Sequence, residues 1–306
     1  MNDKYELIII GGGPAGLTAG IYAAMARLKT LLIEKMTLGG RILFASKVEN
    51  FPGFPDGISG GELAELMYKQ ATKFGLEIHY AGVEEIKYRE KRNVVKTGDG
   101  SFEASSIILA GGCEHTELGV PGEGEFIGKG VSYCATCDAN FFQERVVAVV
   151  GGGNAAVSEA LYLTNFASRV ILIHRRNELR ASPILQERLL ADPKITVIWD
   201  SVVKKVQGQK FLEELELGNV KTGKITRLKV AGVFVAIGFK PNTDYLRDIL
   251  ELDKLGQVVT NTLLATSQPG IYAAGDIRSN SGRQAIIAAG DGAASAIFAN
   301  NFLRGL

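Results

Sequence analysis

With 306 residues, a formal net charge of +1 and 46% hydrophobic side chains, the chain is too long for one comfortable core. It suits two domains and has no bulk bias toward nucleic acid or anionic membrane. Three cysteines are too few for a secreted scaffold and suit a reducing compartment, so a cytoplasmic location is expected.

The start MNDKYELIIIGGG carries acidic residues and a core strand at once, without a cleavable signal pattern. No apolar run is expected to reach the roughly 20 residues of a membrane span. Leu7-Ile8-Ile9-Ile10 is a run of the kind buried in a parallel sheet. It ends at Gly11-Gly12-Gly13-Pro14-Ala15-Gly16, and a helix follows to about Arg27. The next strand, Thr30 to Ile33, ends on Glu34, 23 positions after Gly11. That is near the spacing at which a carboxylate holds an adenosine ribose. Strand, glycine turn, helix, strand and acid together predict an ADP-binding βαβ unit.

Leu38-Gly39-Gly40-Arg41 and Glu49-Asn50-Phe51-Pro52-Gly53-Phe54-Pro55 are irregular and too long for a mere turn. A helix from about Ser59 to Phe74 follows, with Leu63, Leu66, Met67 and Ala71 on one apolar stripe. Leu76 to Ala104 alternates like a small antiparallel element. Ile107-Ile108-Leu109-Ala110 is another buried strand, closed by Gly111-Gly112-Cys113, where Cys113 reads as a small buried apolar residue.

Leu118 to Glu123 has the Gly and Pro content of an exit from one domain. Beyond it stands Cys134-Ala135-Thr136-Cys137-Asp138. Two cysteines at this spacing open and close as a disulfide, form half a zinc site, or are a casual structural pair. With three histidines in the chain, His79, His115 and His174, zinc lacks ligands and no metal is expected. Asp138 is placed to manage a proton or to cap a loop or helix.

From Val147 the chain repeats its own beginning at an offset of 140 positions: Gly151-Gly152-Gly153-Asn154-Ala155-Ala156 matches the first turn. A helix is expected from Asn154 to Ala167 and a strand from Arg169 to Ile173. The echo sets His174 where Glu34 stood, followed by Arg175, Arg176 and Arg180. Losing the ribose acid and gaining arginines suits a 2′-phosphate, hence NADPH on Gly151, Gly153, Asn154, Ala155, His174, Arg175, Arg176 and Arg180. The bland alternative is a basic surface turn.

Thr196 to Ile198 is a strand, Val202 to Lys229 a meander, and Val233 to Gly238 a further strand and glycine. Asn242-Thr243-Asp244 is expected to cap a short helix near Tyr245. Gly270 to Asp276 ends a strand on an acid suited to polyol hydroxyls, and an Ala-rich helix should start near Gln284, presenting free N–H groups, and run to about Phe302.

These landmarks, with Glu49 to Gly53, Ser132 to Asp138, Ala274-Gly275-Asp276 and Arg283-Gln284-Ala285, closely resemble the low-molecular-weight thioredoxin reductases over nearly the whole chain. The resemblance implies an α/β fold of two Rossmann-like, three-layer ββα dinucleotide-binding domains, one inserted in the other. Residues 1–116 and 246–306 would bind FAD, and 117–245 would bind NADPH and carry the cysteines. On the FAD side it implies Gly11, Gly13, Pro14, Ala15, Glu34, Gly40, Arg41, Asn50, Gly275, Asp276, Arg283, Gln284 and Ala285. It further implies Cys137 next to the flavin, Cys134 as the nucleophile toward thioredoxin or a thioredoxin-like protein, Asp138 as the acid, a homodimer, and an inserted domain that rotates on its two connections.

The resemblance has departures. Arg41 stands where the family usually has Gln, Ile42 to Ser46 replaces a Thr-rich stretch, and Ala110-Gly111-Gly112 replaces Ala-Thr-Gly. Rival readings are a dithiol oxidase, a ferredoxin-fed reductase and a non-catalytic flavin redox sensor. The arginine cluster argues against the first two.

Overall fold

The structure is a computed structural model that describes residues 3–45, 47–89 and 92–306, so Ser46 of the departing stretch lies outside the described residues. The chain forms two compact units, one from Met1–Glu114 with Lys240–Leu306 and the other from His115–Phe239. In chain order the first contributes β1 (Asp3–Ile10), α1 (Pro14–Met25), β2 (Thr30–Glu34), α2 (Gly60–Lys73), β3 (Glu77–Tyr80), β4 (Val83–Lys87), β5 (Asn93–Thr97) and β6 (Gly100–Leu109). A short strand β7 (Cys113–His115) leads into β8 (Val131–Ser132), α3 (Ala135–Asp138), β9 (Val146–Gly151), α4 (Asn154–Leu163), β10 (Arg169–Ile173), α5 (Pro183–Ala191) and β11 (Ile195–Ile198). Then come β12 (Ser201–Gly208), β13 (Leu212–Asn219), β14 (Ile225–Lys229) and β15 (Gly232–Ala236). The strand β16 (Phe239–Pro241), which pairs with β7, returns the chain to β17 (Ile271–Ala273) and α6 (Ala285–Arg304).

In the discontinuous unit β3, β2, β1 and β6 run parallel in that order. The last residues of β6 take β17 as a parallel neighbour, whereas its first residues pair antiparallel with β5, which pairs with β4. Side chains alternate across this sheet, and both faces are covered. Leu7 and Ile9 join Leu17, Leu63 and Met67 on the helix side; Ile8 and Ile10 join Ile86 and Val95 on the meander side. Leu7, Ile8 and Ile9 are fully buried, each stabilising the fold by roughly 1.5–3 kcal/mol relative to exposure. This double coverage is why β1 reads as an unbroken apolar run.

The inserted unit repeats the plan with a five-stranded parallel sheet, ordered β11-β10-β9-β15-β8. Val147 and Val149 face the helix-side cluster with Val157 and Leu163, while Ala148 and Val150 face Val203 and Leu215 of the antiparallel sheet β12-β13-β14. The expected echo and the expected meander are therefore both present. Each unit is three layers: helices, parallel sheet and antiparallel strands.

Six local expectations need correction. The first strand of the 76–104 stretch, β3, pairs parallel with β2, because the α2 crossover between them returns the chain in the same direction. Leu66 is 43% exposed. The buried face of α2 is Gly60, Leu63, Ala64, Met67 and Ala71, and at 100° per residue Leu66 falls about a third of a turn away from its centre. Ser59 caps that helix, accepting from the Glu62 N–H at 3.1 Å. α1 ends at Met25 and α4 at Leu163, earlier than expected; Arg27 has left the helix with φ +62°.

At 242–244 no side chain caps the single 3-10 turn Asp244–Leu246. Asn242 instead donates to the Gly111 carbonyl at 2.9 Å, and Thr243 donates to the Gly256 carbonyl at 2.6 Å. Finally, α6 has the length and hydropathy of a membrane span, 20 residues at 1.2. Its small-residue face is nevertheless seated on α1: a Cβ on Gly292 would lie 2.1 Å from the Ala15 carbonyl oxygen.

Candidate active site

In the discontinuous unit the first glycine turn is built by close approach. Gly11 has φ +105°, and a Cβ there would fall 2.4 Å from the Ala110 carbonyl oxygen, where β1 and β6 end side by side. A Cβ on Gly16 would meet the Gly11 carbonyl oxygen at 1.8 Å, so only glycine lets α1 start this near the strand. Gly13 is the N-cap of α1 with no side-chain hydrogen bond, Pro14 opens the helix, and a Cβ on Gly13 would meet nothing within 4 Å. The turn thus offers uncapped helix N–H groups and open space above them. Glu34, at the end of β2, accepts from the Gly12 N–H at 2.6 Å and the Met36 N–H at 3.0 Å.

Distant stretches converge on this turn. Gly40, with φ +57°, lies against Gly13, where a Cβ would sit 3.2 Å from its Cα. Arg41 follows in a short 3-10 turn, on the surface. Gly275 packs on Ala15, and Asn50 donates to the Gln284 Oε1 at 3.0 Å across 234 positions of sequence. Gln284 is the N-cap of α6 and Ala285 its first residue. Asp276 accepts from the Ser281 hydroxyl at 2.9 Å; burial pushes its carboxyl up, while Ser281, Arg283 and Arg41 pull it down. Arg283 is exposed with φ +51°, its N–H donating to the Ser281 hydroxyl at 3.3 Å. Cys113 is buried and burial pushes its thiol up to about 11, so it stays protonated and inert at neutral pH.

A buried pair that no sequence argument singled out anchors this region. Arg278 Nε donates to Asp291 Oδ2 at 2.7 Å and Nη2 to Oδ1 at 2.9 Å. The same Asp291 Oδ2 accepts from the Gly275 N–H at 3.0 Å. The only signal was a lone acid within an Ala-rich helix.

In the inserted unit, a Cβ on Gly151 would lie 2.4 Å from the Ala236 carbonyl oxygen and 2.6 Å from the Ala156 Cβ. Gly153 caps α4 without a side-chain bond and with nothing within 4 Å of a Cβ, as Gly13 does in the first turn. Asn154 and Ala155 are exposed in the first turn of α4, and the Asn154 Oδ1 accepts from the Ser182 N–H at 2.8 Å. His174 is buried beneath the turn, its ring against Gly152, and burial pushes its pKa down. Arg175, Arg176 and Arg180 are exposed around it, and the Arg180 N–H donates to the Gly152 carbonyl at 2.7 Å.

The same unit carries the cysteines. Cys134 and Cys137 form a disulfide with Cα atoms 5.3 Å apart. Cys134 precedes the single turn α3 and Cys137 lies within it, the Cys137 N–H donating to the Cys134 carbonyl at 3.2 Å. Cys137 is exposed and Cys134 half-buried. Asp138 ends the turn and accepts from the Ser132 hydroxyl at 2.6 Å; burial pushes its carboxyl up, and Ser132 opposes this. Just before the pair, Tyr133 stacks on His115 at 5.2 Å and donates to the buried Glu123 at 2.8 Å. Among the described residues no cluster of His, Cys, Asp and Glu could hold a metal ion.

A disulfide and two glycine-turn units agree with what known sequences show. The pattern of the pyridine nucleotide-disulphide oxidoreductases matches residues 5–292. The chain belongs to this family. It is 45% identical over 303 residues to the thioredoxin reductase of Treponema pallidum, covering 99% of this chain and 98% of that one. It is also 45% identical to the thioredoxin reductase of Streptomyces coelicolor, covering 100% and 96%. The crystal structure of thioredoxin reductase from Streptococcus pyogenes superposes with a TM-score of 0.96 at 43% identity, covering the whole of both chains. Family membership implies dinucleotide binding, and the two uncapped, unobstructed glycine turns fit it.

Proposed function

We infer that the chain is an NADPH-dependent thioredoxin-disulfide reductase, with thioredoxin or a thioredoxin-like protein as acceptor. The observation that carries this reading is the Cys134–Cys137 disulfide in the same unit as a glycine turn ringed by Arg175, Arg176 and Arg180. We assign FAD to the discontinuous unit and NADPH to the inserted one. Gly11, Gly13, Pro14 and Ala15 would hold the FAD pyrophosphate, Glu34 the adenosine ribose, and Asp276 the polyol chain. Gly40, Arg41, Asn50, Gly275, Arg283, Gln284 and Ala285 would line the rest. Gly151, Gly153, Asn154 and Ala155 would take the NADPH pyrophosphate, and the arginines its 2′-phosphate, with His174 supporting the turn from below.

When bound, these cofactors supply a hydride and relay its electron pair to a disulfide. Cys134 and Cys137 accept that pair as their S–S bond breaks, and Asp138, whose carboxyl burial favours the protonated form, gives a proton to one of the two thiolates. The Cys134 thiolate then attacks a partner disulfide and expels a partner thiolate. Cys137 then gives up its proton to water, attacks Cys134 as thiolate, expels the second partner thiolate and restores the S–S bond. We further propose that the protein works in the cytoplasm as a homodimer; the low cysteine content supports the first and likeness to the family the second.

The test is an anaerobic titration of the purified protein with NADPH and NADH, following the flavin spectrum, then addition of an oxidised thioredoxin. Bleaching by NADPH at far lower concentration than NADH, with thiols appearing on the acceptor, is expected. Flavin reduction without acceptor thiols would leave a redox sensor or an oxidase instead.

A further inference from the structure

Ser132 sits two residues before the redox pair, buried at 5% exposure, and its hydroxyl is committed on both sides. The oxygen accepts from the Cys134 N–H at 3.1 Å and the proton is directed to Asp138 Oδ2 at 2.6 Å. The Cys134 carbonyl, at 3.4 Å, is a much longer alternative for that proton. One side chain therefore ties the backbone of the first cysteine to the carboxyl that follows the second. With Oδ2 accepting from the Ser132 hydroxyl, the carboxyl proton is favoured on the other oxygen, Oδ1, because the better acceptor of a protonated carboxyl is its carbonyl oxygen.

We propose that Ser132 is a positioning residue for the dithiol chemistry. It holds Asp138 with Oδ2 as acceptor so that Oδ1 carries the proton and is turned to exchange it. This rests on the reading of Asp138 as the acid of the exchange. When the S–S bond takes up two electrons, Oδ1–H protonates one thiolate and leaves a carboxylate. That anion is stabilised at Oδ2 by the same Ser132 hydroxyl and regains its proton from water. A hydroxyl donating to a carboxylate favours its charged form, so Ser132 opposes the effect of burial. Ionisable groups on the neighbouring elements are Cys134 and Cys137, Glu159 on α4, and Glu123. Glu123 already accepts from Leu118, Gly119 and Tyr133.

The experiment is an infrared pH titration of the holoprotein labelled with carboxyl-13C aspartate, using D138N to assign the Asp138 band. S132A and S132G remove the hydroxyl, and S132T keeps it; retained flavin absorbance reports folding. The Asp138 titration midpoint should move to higher pH in the hydroxyl-free variants and stay near the wild-type value in S132T. The pH limb of acceptor reduction should move the same way. An unmoved or lowered midpoint in both S132A and S132G overturns the proposal. If D138N keeps full turnover and the same pH limb, the acid role of Asp138 fails, while the midpoint still decides the Ser132 contact separately.

Discussion

The imidazole of His174 lies directly under Gly152, so close that a Cβ on that glycine would sit 2.2 Å from the ring Cε1. In the first unit the equivalent pair is Gly12 and Glu34, joined by a 2.6 Å hydrogen bond from the Gly12 N–H. The same place beneath the same turn is filled in one case by a carboxylate and in the other by a ring. Gly152→Ala should therefore destabilise the protein by about 1–3 kcal/mol through overpacking and weaken NADPH binding, while FAD stays bound. Urea unfolding and nucleotide titration of the variant check both parts; unchanged NADPH affinity would show the support to be unnecessary.

Burial of His174 carries a pH consequence. Its folded pKa lies below the ordinary value, so above roughly pH 6.5 the ring is neutral in both states and costs nothing. As pH falls from there toward the folded pKa, the unfolded chain binds the proton first and stability drops. His174→Asn should lose part of this acid sensitivity, seen as a smaller fall in the urea midpoint between pH 8 and pH 5.5 than the native protein shows.

Arg175, Arg176 and Arg180 are exposed beside the second turn, where a phosphate would accept charge-assisted bonds worth about 1.5–3 kcal/mol each. Replacing all three with Gln should weaken NADPH by at least about tenfold and leave NADH nearly unchanged. Isothermal titration with each nucleotide measures the ratio. Equal efficiency of the two nucleotides in the native protein would remove the 2′-phosphate assignment.

The cysteines should fail differently. Cys134→Ser should still permit flavin reduction by NADPH but release no acceptor thiols. Cys137→Ser should also stop turnover yet trap a mixed disulfide through Cys134, visible by mass spectrometry. Cys113→Ala should turn over normally, since that thiol is buried and protonated. Thiol release surviving the loss of both Cys134 and Cys137 would end the dithiol mechanism.

Arg278 and Asp291 hold the Gly275–Asp276 turn to α6 with side chains only 15% and 11% exposed. Asp291→Ala should cost about 3–5 kcal/mol by leaving a buried guanidinium unpaired and should loosen FAD. The double variant R278M/D291L should recover much of the stability. Thermal melts monitored by flavin fluorescence separate the two outcomes.

What the sequence by itself determined was whatever a short stretch encodes locally. Apolar runs ending in glycine marked β1, β6, β9 and β15, because strands buried on both faces need no polar alternation. The 140-residue echo marked the second unit, and the Cys-x-x-Cys spacing marked the disulfide, because its geometry is nearly local. The tertiary structure alone decided which distant residues meet. Asn50 finds Gln284, Arg278 finds Asp291, and β3 joins β2 in parallel. It also sent His174 inward while its arginine neighbours stayed outside, and turned Leu66 to solvent. These outcomes depend on which face of an element the opposing layer covers, and that is set by packing across hundreds of residues of chain.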